Sequence, residues 1–256
     1  MAPHSAELAA AITAARDLLD SLGLDKAPIE IEDVARAVGV RSITPMSITA
    51  DGYLGRSAAG ELVIRYQSGG SRERRRFTIA HEVGHVLLAR LRGVDISDPV
   101  FRIQSVRQAE EAMANRVAAE LLLPENLLRS KLNQLAPSWN AIAAIRREFA
   151  VSTEALVQRI LEIKGITGVH FRITPGATPE ATRVLCRTSI APPLLFRRPI
   201  QSEGLHLLES ANALGCALLE AYVRDVPRII QCAVKWMDKF APPQYWLIGW
   251  VADPHE

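Results

Sequence analysis

Cysteine is scarce in this chain of 256 residues, and its three copies are scattered. Cys186, Cys216 and Cys232 stand far apart and none forms Cys-x-x-Cys. That spacing argues against a disulfide framework and fits reduced thiols packed as small hydrophobes in a reducing compartment. Net charge is also nearly absent, at +2, too small to imply a polyanion partner by bulk electrostatics, although it leaves room for local basic patches. No apolar run is long enough to span a bilayer. The alanine-rich start, MAPHSAELAAAITAARDLLDSLGL, has no basic leader followed by an apolar block, and Glu7, Arg16, Asp17 and Asp20 interrupt it. It therefore reads as an amphipathic helix and not a signal peptide. Repeats and low-complexity tracts are missing as well. A soluble cytoplasmic protein with no membrane partner is the expectation.

What is present is an ordinary globular composition, 48% hydrophobic and 23% charged, in a length that suits one large domain or two smaller ones. Helical patterns cover residues 5–22, the stretch ending near Gly39, residues 74–91, and a helix from Ser105, where Gln108 completes a capping-box pattern, to Pro124. A further helix covers 125–134, and a helix pair spans 138–163 around a turn at 150–152. Between the second and third helices, Gly52, Gly55 and Gly60 punctuate alternating apolar residues, the pattern of a small hairpin or three-stranded meander. After Gly165 the segments GVHFRIT, TRVLCRTSI, RIIQCAVKWM and YWLIGWV read as strands, with one helix at about 205–223 between them. These patterns predict an α+β chain with boundaries at 1–137, 138–165 and 166–256.

Chemistry concentrates in RRRFTIAHEVGH, residues 74–85. On an α-helix, residues four apart lie about 40° apart in projection and about 6 Å apart along the axis. His81 and His85 can therefore bind one metal ion. Glu82 lies about 60° from His85 and about 100° from His81, beside the metal and badly placed to ligate it. That position suits a base acting on water at the metal. Gly84, a poor helix former, makes sense if another segment approaches closely. A catalytic zinc needs a third protein ligand. Glu110, Glu111 and Glu120 on the following helix are the candidates, and spacing leaves the choice between Glu110 and Glu111 open.

The arginine helix with its His-Glu-x-x-His, followed by EEAMANRVAAELLLP, resembles the ImmA/IrrE family of metallopeptidases. Asn115, Ala118, Ala119, Leu121, Leu122 and Pro124 match the family pattern, whereas Val117 stands where Phe is usual and Leu123 where Met is usual. DGYLGR and VARAVGV upstream, and the helix pair downstream, extend the resemblance over about residues 30–163. It implies a mainly helical zincin-like peptidase domain, a helix-turn-helix-like segment, and a C-terminal sensor-like domain of GAF type. It places the third ligand at Glu111. The implied activity is that of a regulatory zinc endopeptidase: Zn2+ (or Mn2+) on His81, His85 and Glu111, Glu82 as general base, and a helix-turn-helix repressor as substrate in a stress or mobile-element response. Two His and one Glu suit zinc best.

Three further expectations accompany this reading. Tyr53 or Arg56 is offered as an oxyanion donor. Arg72, Arg74, Arg75 and Arg76 form either a solvated leader or a substrate contact. Trp236, Trp246 and Trp250 line a pocket for a small-molecule or protein signal, or else are core. The competing class is a DNA-binding or sensor-type regulator with a vestigial protease site. The near-balanced charges of residues 138–164 make DNA binding doubtful.

Overall fold

The computed structural model describes residues 3–94, 108–163, 166–176, 178, 182–188, 194–196, 200–211, 216–223, 226–237 and 243–252. The chain divides into two compact units, one of residues 1–127 with 147–152 and the other of residues 128–146 with 153–256.

In the first unit, α1 (Pro3–Ser21) buries a stripe at Ala11, Ala15 and Leu19, the four-residue spacing of one helix face. Gly23 follows in the left-handed region, at φ 65°. After α2 (Ile31–Ala37) come three strands, β1 (Ser42–Met46), β2 (Gly52–Arg56) and β3 (Leu62–Gln67). The order is β1-β3-β2, with β1 parallel and β2 antiparallel to β3. This is a mixed sheet and not the expected meander. The hairpin is present, but the third strand lies upstream of it, at 42–46. In the central strand β3, the consecutive residues Leu62, Val63 and Ile64 are all buried, so both faces of the strand are covered there. The long helix α3 (Arg72–Leu91) and α4 (Gln108–Leu122) complete the unit. The expected helix start at Ser105 lies outside the described residues.

Gly84 is where α3 and α4 meet. A Cβ there would lie 2.9 Å from the Ala114 carbonyl oxygen and 3.2 Å from its Cα. Glycine thus permits the close approach expected from its presence in mid-helix. Glu120, the most distal candidate ligand, is buried and tied to α1. Arg16 donates to it at 2.9 Å and to Glu125 at 2.7 Å.

The arginine leader is the first turn of α3 and not a loop, with Arg72 and Arg74 exposed, Arg75 half-buried and Arg76 buried. Ser71 caps α3 by accepting from the Arg74 amide at 3.2 Å. From the first turn, three arginines reach three different places. Arg74 pairs with Asp51 ahead of β2, Arg75 donates to Glu32 of α2 at 3.1 Å, and the buried Arg76 donates to the Ile29 carbonyl at 2.7 Å. Arg75 also lies over the Tyr66 ring. The helix that carries the motif is thereby fastened to α2 and to the sheet.

The second unit holds a six-stranded antiparallel sheet, ordered β5-β4-β9-β8-β7-β6. Its strands are β4 (Ile166–Thr174), β5 (Arg183–Thr188), β6 (Leu194–Phe196), β7 (Cys216–Val223), β8 (Val226–Met237) and β9 (Gln244–Ala252). Helix α8 (Ile200–Glu209) sets Leu207 into a core with Val169, Phe171, Leu219, Ile230 and Leu247. The helix expected over 205–223 is corrected here. It ends at Glu209, and Cys216–Val223 is a strand paired with β6 and β8. Its burial alternates: Ala217 and Leu219 are buried while Leu218 is exposed.

The helices α5 (Glu125–Gln134), α6 (Trp139–Phe149) and α7 (Thr153–Ile160) include the helix-turn-helix-like pair. Ala150, at φ 52°, makes the turn, and Ser138 caps α6 by accepting from the Ala141 amide at 3.0 Å. Within this unit they hold the sheet. Trp250 donates to the Leu132 carbonyl at 3.1 Å, Gln231 to Pro137 at 3.2 Å, and Arg187 to Gln158 at 2.8 Å. Ile142, Ile145, Leu156 and Ile160 are buried, and so is Arg159. Arg147 is exposed and Arg146 half-buried, and the pair reads as packing through its buried apolar face. Trp246 and Trp250 are buried as well, Trp246 edge-on to His170; they are core residues and not pocket walls. The side chain of Trp236 lies outside the described residues. No helix among the described residues is long and apolar enough to cross a membrane.

Candidate metal centre

Helix α3 delivers His81, Glu82 and His85, and α4 delivers Glu111 across the Gly84 contact. The Nε2 atoms of His81 and His85 are 3.1 Å apart. Glu111 places one carboxylate oxygen 3.1 Å from His81 Nε2 and the other 3.4 Å from His85 Nε2. Tetrahedral zinc with bonds of about 2.0–2.1 Å separates its ligand atoms by roughly 3.3–3.4 Å. One donor atom from each of the three residues lies within 4.8 Å of the other two, close enough to share one ion, and their types suit zinc.

The ring nitrogen of His81 turned away from the donors has a hydrogen-bond partner. His81 Nδ1 is 2.9 Å from Asn115 Oδ1. An amide oxygen accepts, so this bond puts the proton on Nδ1 and leaves the Nε2 lone pair for a metal. Asn115 sits one turn after Glu111 on α4, so one helix face supplies a donor for the metal and a brace for its histidine. Burial, followed by the His81 charge, pushes the His85 pKa down, which favours the neutral imidazole that ligation requires.

Glu82 is buried beside this group. Burial above all, then the Glu111 charge, raises its pKa to about 7, against an opposing bond from the Leu54 backbone amide. A carboxyl group with that affinity can take and return a proton near neutrality. The donor cluster opens into a cavity of about 300 Å3 lined by Asp51, Gly52, Phe77, Thr78, His81, Glu82, Glu111 and Asn115. A Cβ at Gly52 would overlap the Thr78 methyl and lie 2.8 Å from the Arg65 carbonyl, so only glycine lets β2 lie this close to α3.

Tyr53 and Arg56, offered as oxyanion donors, do not line this cavity. The Tyr53 hydroxyl accepts from Arg65 at 2.8 Å, and Arg56 donates to the Gly60 carbonyl within the hairpin. Of β2, Gly52 is the residue that lines the cavity; alternation turns Tyr53 to the opposite face. Sequence reasoning did not find the contribution of the Leu54 backbone amide. Backbone donors leave no mark in residue identities.

Residues 36–161 match the family model of the M78 peptidases, described as the IrrE N-terminal-like domain. Over just under half of its length the chain is thus similar to the IrrE-type peptidases. Two proteins named radiation response metalloprotease IrrE are similar to it. The one from Deinococcus radiodurans is 29% identical over 46% of this chain and 36% of its own length; the one from Deinococcus deserti is 34% identical over 35% and 32%. The match thus spans about a third of the length of these curated relatives. A solved Mycobacterium tuberculosis protein, described as a transcriptional regulator, aligns over 95% of this chain and 88% of its own, at a TM-score of 0.58 and 18% identity. That likeness shows the fold alone. The IrrE-type match contains the whole donor cluster, His81, His85 and Glu111.

Proposed function

We propose that this chain is a zinc-dependent regulatory endopeptidase whose substrate is a helix-turn-helix transcriptional repressor. The observation that carries the chemistry is the convergence of His81, His85 and Glu111 within an IrrE-type domain, with the buried Glu82 at their side. The names of the Deinococcus relatives support the metalloprotease and stress-response parts of this reading.

Zinc held by His81, His85 and Glu111 supplies Lewis acidity for peptide hydrolysis. Glu82 accepts a proton from water and returns it to the leaving amine. The Leu54 amide and the walls of the cavity fix the direction of its carboxylate. Asn115 holds the His81 ring. The outer strand β2 borders the cavity through Gly52, which suits docking of an extended peptide against a sheet edge.

The test is co-incubation with a helix-turn-helix repressor encoded nearby, read by the mass of the products, with and without chelator. Cleavage should need zinc. Glu82→Gln should retain zinc and abolish cleavage. Cleavage that survives complete metal removal, or that proceeds at the normal rate in Glu82→Gln, would sink the proposal.

A further inference from the structure

Glu110 competes with Glu111 for attention in the sequence, but in the structure it sits behind the metal group. His85 is almost wholly enclosed, its side chain 3% exposed, and its Nδ1 is buried without a hydrogen-bond partner. A buried N–H left unpaired costs roughly 1–3 kcal/mol. Facing it at 3.7 Å is Glu110 Oε1. That separation exceeds a hydrogen bond by about 0.7 Å, a gap that a small tilt of the ring closes. The other oxygen of Glu110 accepts from Arg92 at 2.7 Å, and Arg92 Nε donates in turn to Glu7. Arg92 is the C-cap residue of α3. One guanidinium therefore joins α1, the end of α3 and the start of α4, and it holds Glu110 on the Nδ1 side of the ring. Nδ1 and Nε2 lie on different edges of an imidazole, so a carboxylate kept at the first cannot also compete for the metal at the second.

We infer that Glu110 is the positioning residue of His85. Its carboxylate accepts a hydrogen bond from Nδ1–H, fixes the ring with Nε2 toward the metal and makes that nitrogen a better donor, while Arg92 and Glu7 hold the carboxylate in place. The inference rests on the reading of His81, His85 and Glu111 as a metal site. It gives the two histidines unlike braces: the Asn115 amide for His81 and a charged carboxylate for His85.

The experiment measures zinc affinity of the full chain by chelator competition. It also records 15N spectra of histidine-labelled, zinc-loaded protein, with circular dichroism as the check on folding. Glu110→Ala should weaken zinc binding by about 10- to 100-fold. Glu110→Gln keeps an acceptor oxygen and should lose only severalfold, and Arg92→Met should fall between the two. The His85 Nδ1–H signal should persist in the wild type and the Gln variant and broaden or shift in Glu110→Ala. Zinc binding by folded Glu110→Ala within twofold of the wild type overturns the inference. So do equal losses in the Ala and Gln variants, because only one of them keeps the acceptor. A wild-type chain that binds no zinc overturns the metal reading itself, and the inference with it.

Discussion

Replacing Gly84 by alanine sets two physical effects of opposite sign against each other. Alanine is the better helix former, by about 1 kcal/mol in a helix interior. If α3 were an isolated helix, the variant would be the more stable protein. Here the new Cβ would stand 2.9 Å from the Ala114 carbonyl oxygen and 3.2 Å from Ala114 Cα. Ordinary C···O contacts begin near 3.3 Å, so the helices must part by about 0.4 Å. Backbone atoms cannot rotate out of the way, and overpacking of this kind costs about 1–3 kcal/mol. The net expectation is a loss of about 1–2 kcal/mol, with the melting temperature falling roughly 2–4 °C for each kcal/mol. The displacement also reaches the site, because Asn115 follows Ala114 and Glu111 lies one turn earlier. Thermal melting and zinc titration on the same samples therefore test one geometry twice. A variant that melts higher than the wild type and binds zinc equally well would refute the close-packing account.

His170 makes the second unit acid-sensitive. Burial, then Arg172 and Arg187, depress its pKa from 6.5 to about 3, so the unfolded chain binds a proton that the folded chain refuses. Stability is complete above pH 6.5 and is lost as pH falls toward 3, by about 3 kcal/mol at pH 4.5; His170→Phe should flatten that slope in tryptophan fluorescence, and an unchanged slope would refute it. Arg16→Met leaves the buried Glu120 carboxylate without its guanidinium and should lower stability by about 1–3 kcal/mol in urea melts, with Glu120→Gln in the same background restoring most of it. Zinc at a hundredfold excess over its Kd should stabilise the first unit by about 2.7 kcal/mol, and Glu111→Gln should remove most of that gain in calorimetry.

What the sequence showed well was whatever one helix encodes by itself. The four-residue spacing of His81 and His85, the offset of Glu82, and the oddness of a glycine at position 84 are local facts, and the structure uses each of them. The failures are equally physical. Cys216–Val223 is rich in alanine, leucine and glutamate, all good helix formers, yet it pairs with strands on both sides. Propensities worth tenths of a kcal/mol per residue give way to two ladders of backbone bonds and a buried face. β1 escaped notice because its pairing with β3 is parallel and joins residues some twenty positions apart, with no turn signature between them. The arginine leader was seen as charge without a destination. Its partners Asp51, Glu32 and Ile29 lie 23, 43 and 47 residues away along the chain.

The two adjacent glutamates show where that limit falls within the site. Residues 110 and 111 differ by about 100° around α4, and either direction can be turned toward a histidine on α3. Periodicity ranks neither above the other, and the family resemblance pointed to Glu111 without a physical cause. The cause lies outside both helices' local sequence. Arg92, 18 residues before Glu110 and 85 after Glu7, pairs with both carboxylates and fixes Glu110 on the far side of the His85 ring. With that oxygen committed, Glu111 is the carboxylate that meets both Nε2 atoms. A cation outside the candidate donor set thus separates the two glutamates. A substitution at Arg92 should accordingly disturb zinc affinity while leaving all three donors in place.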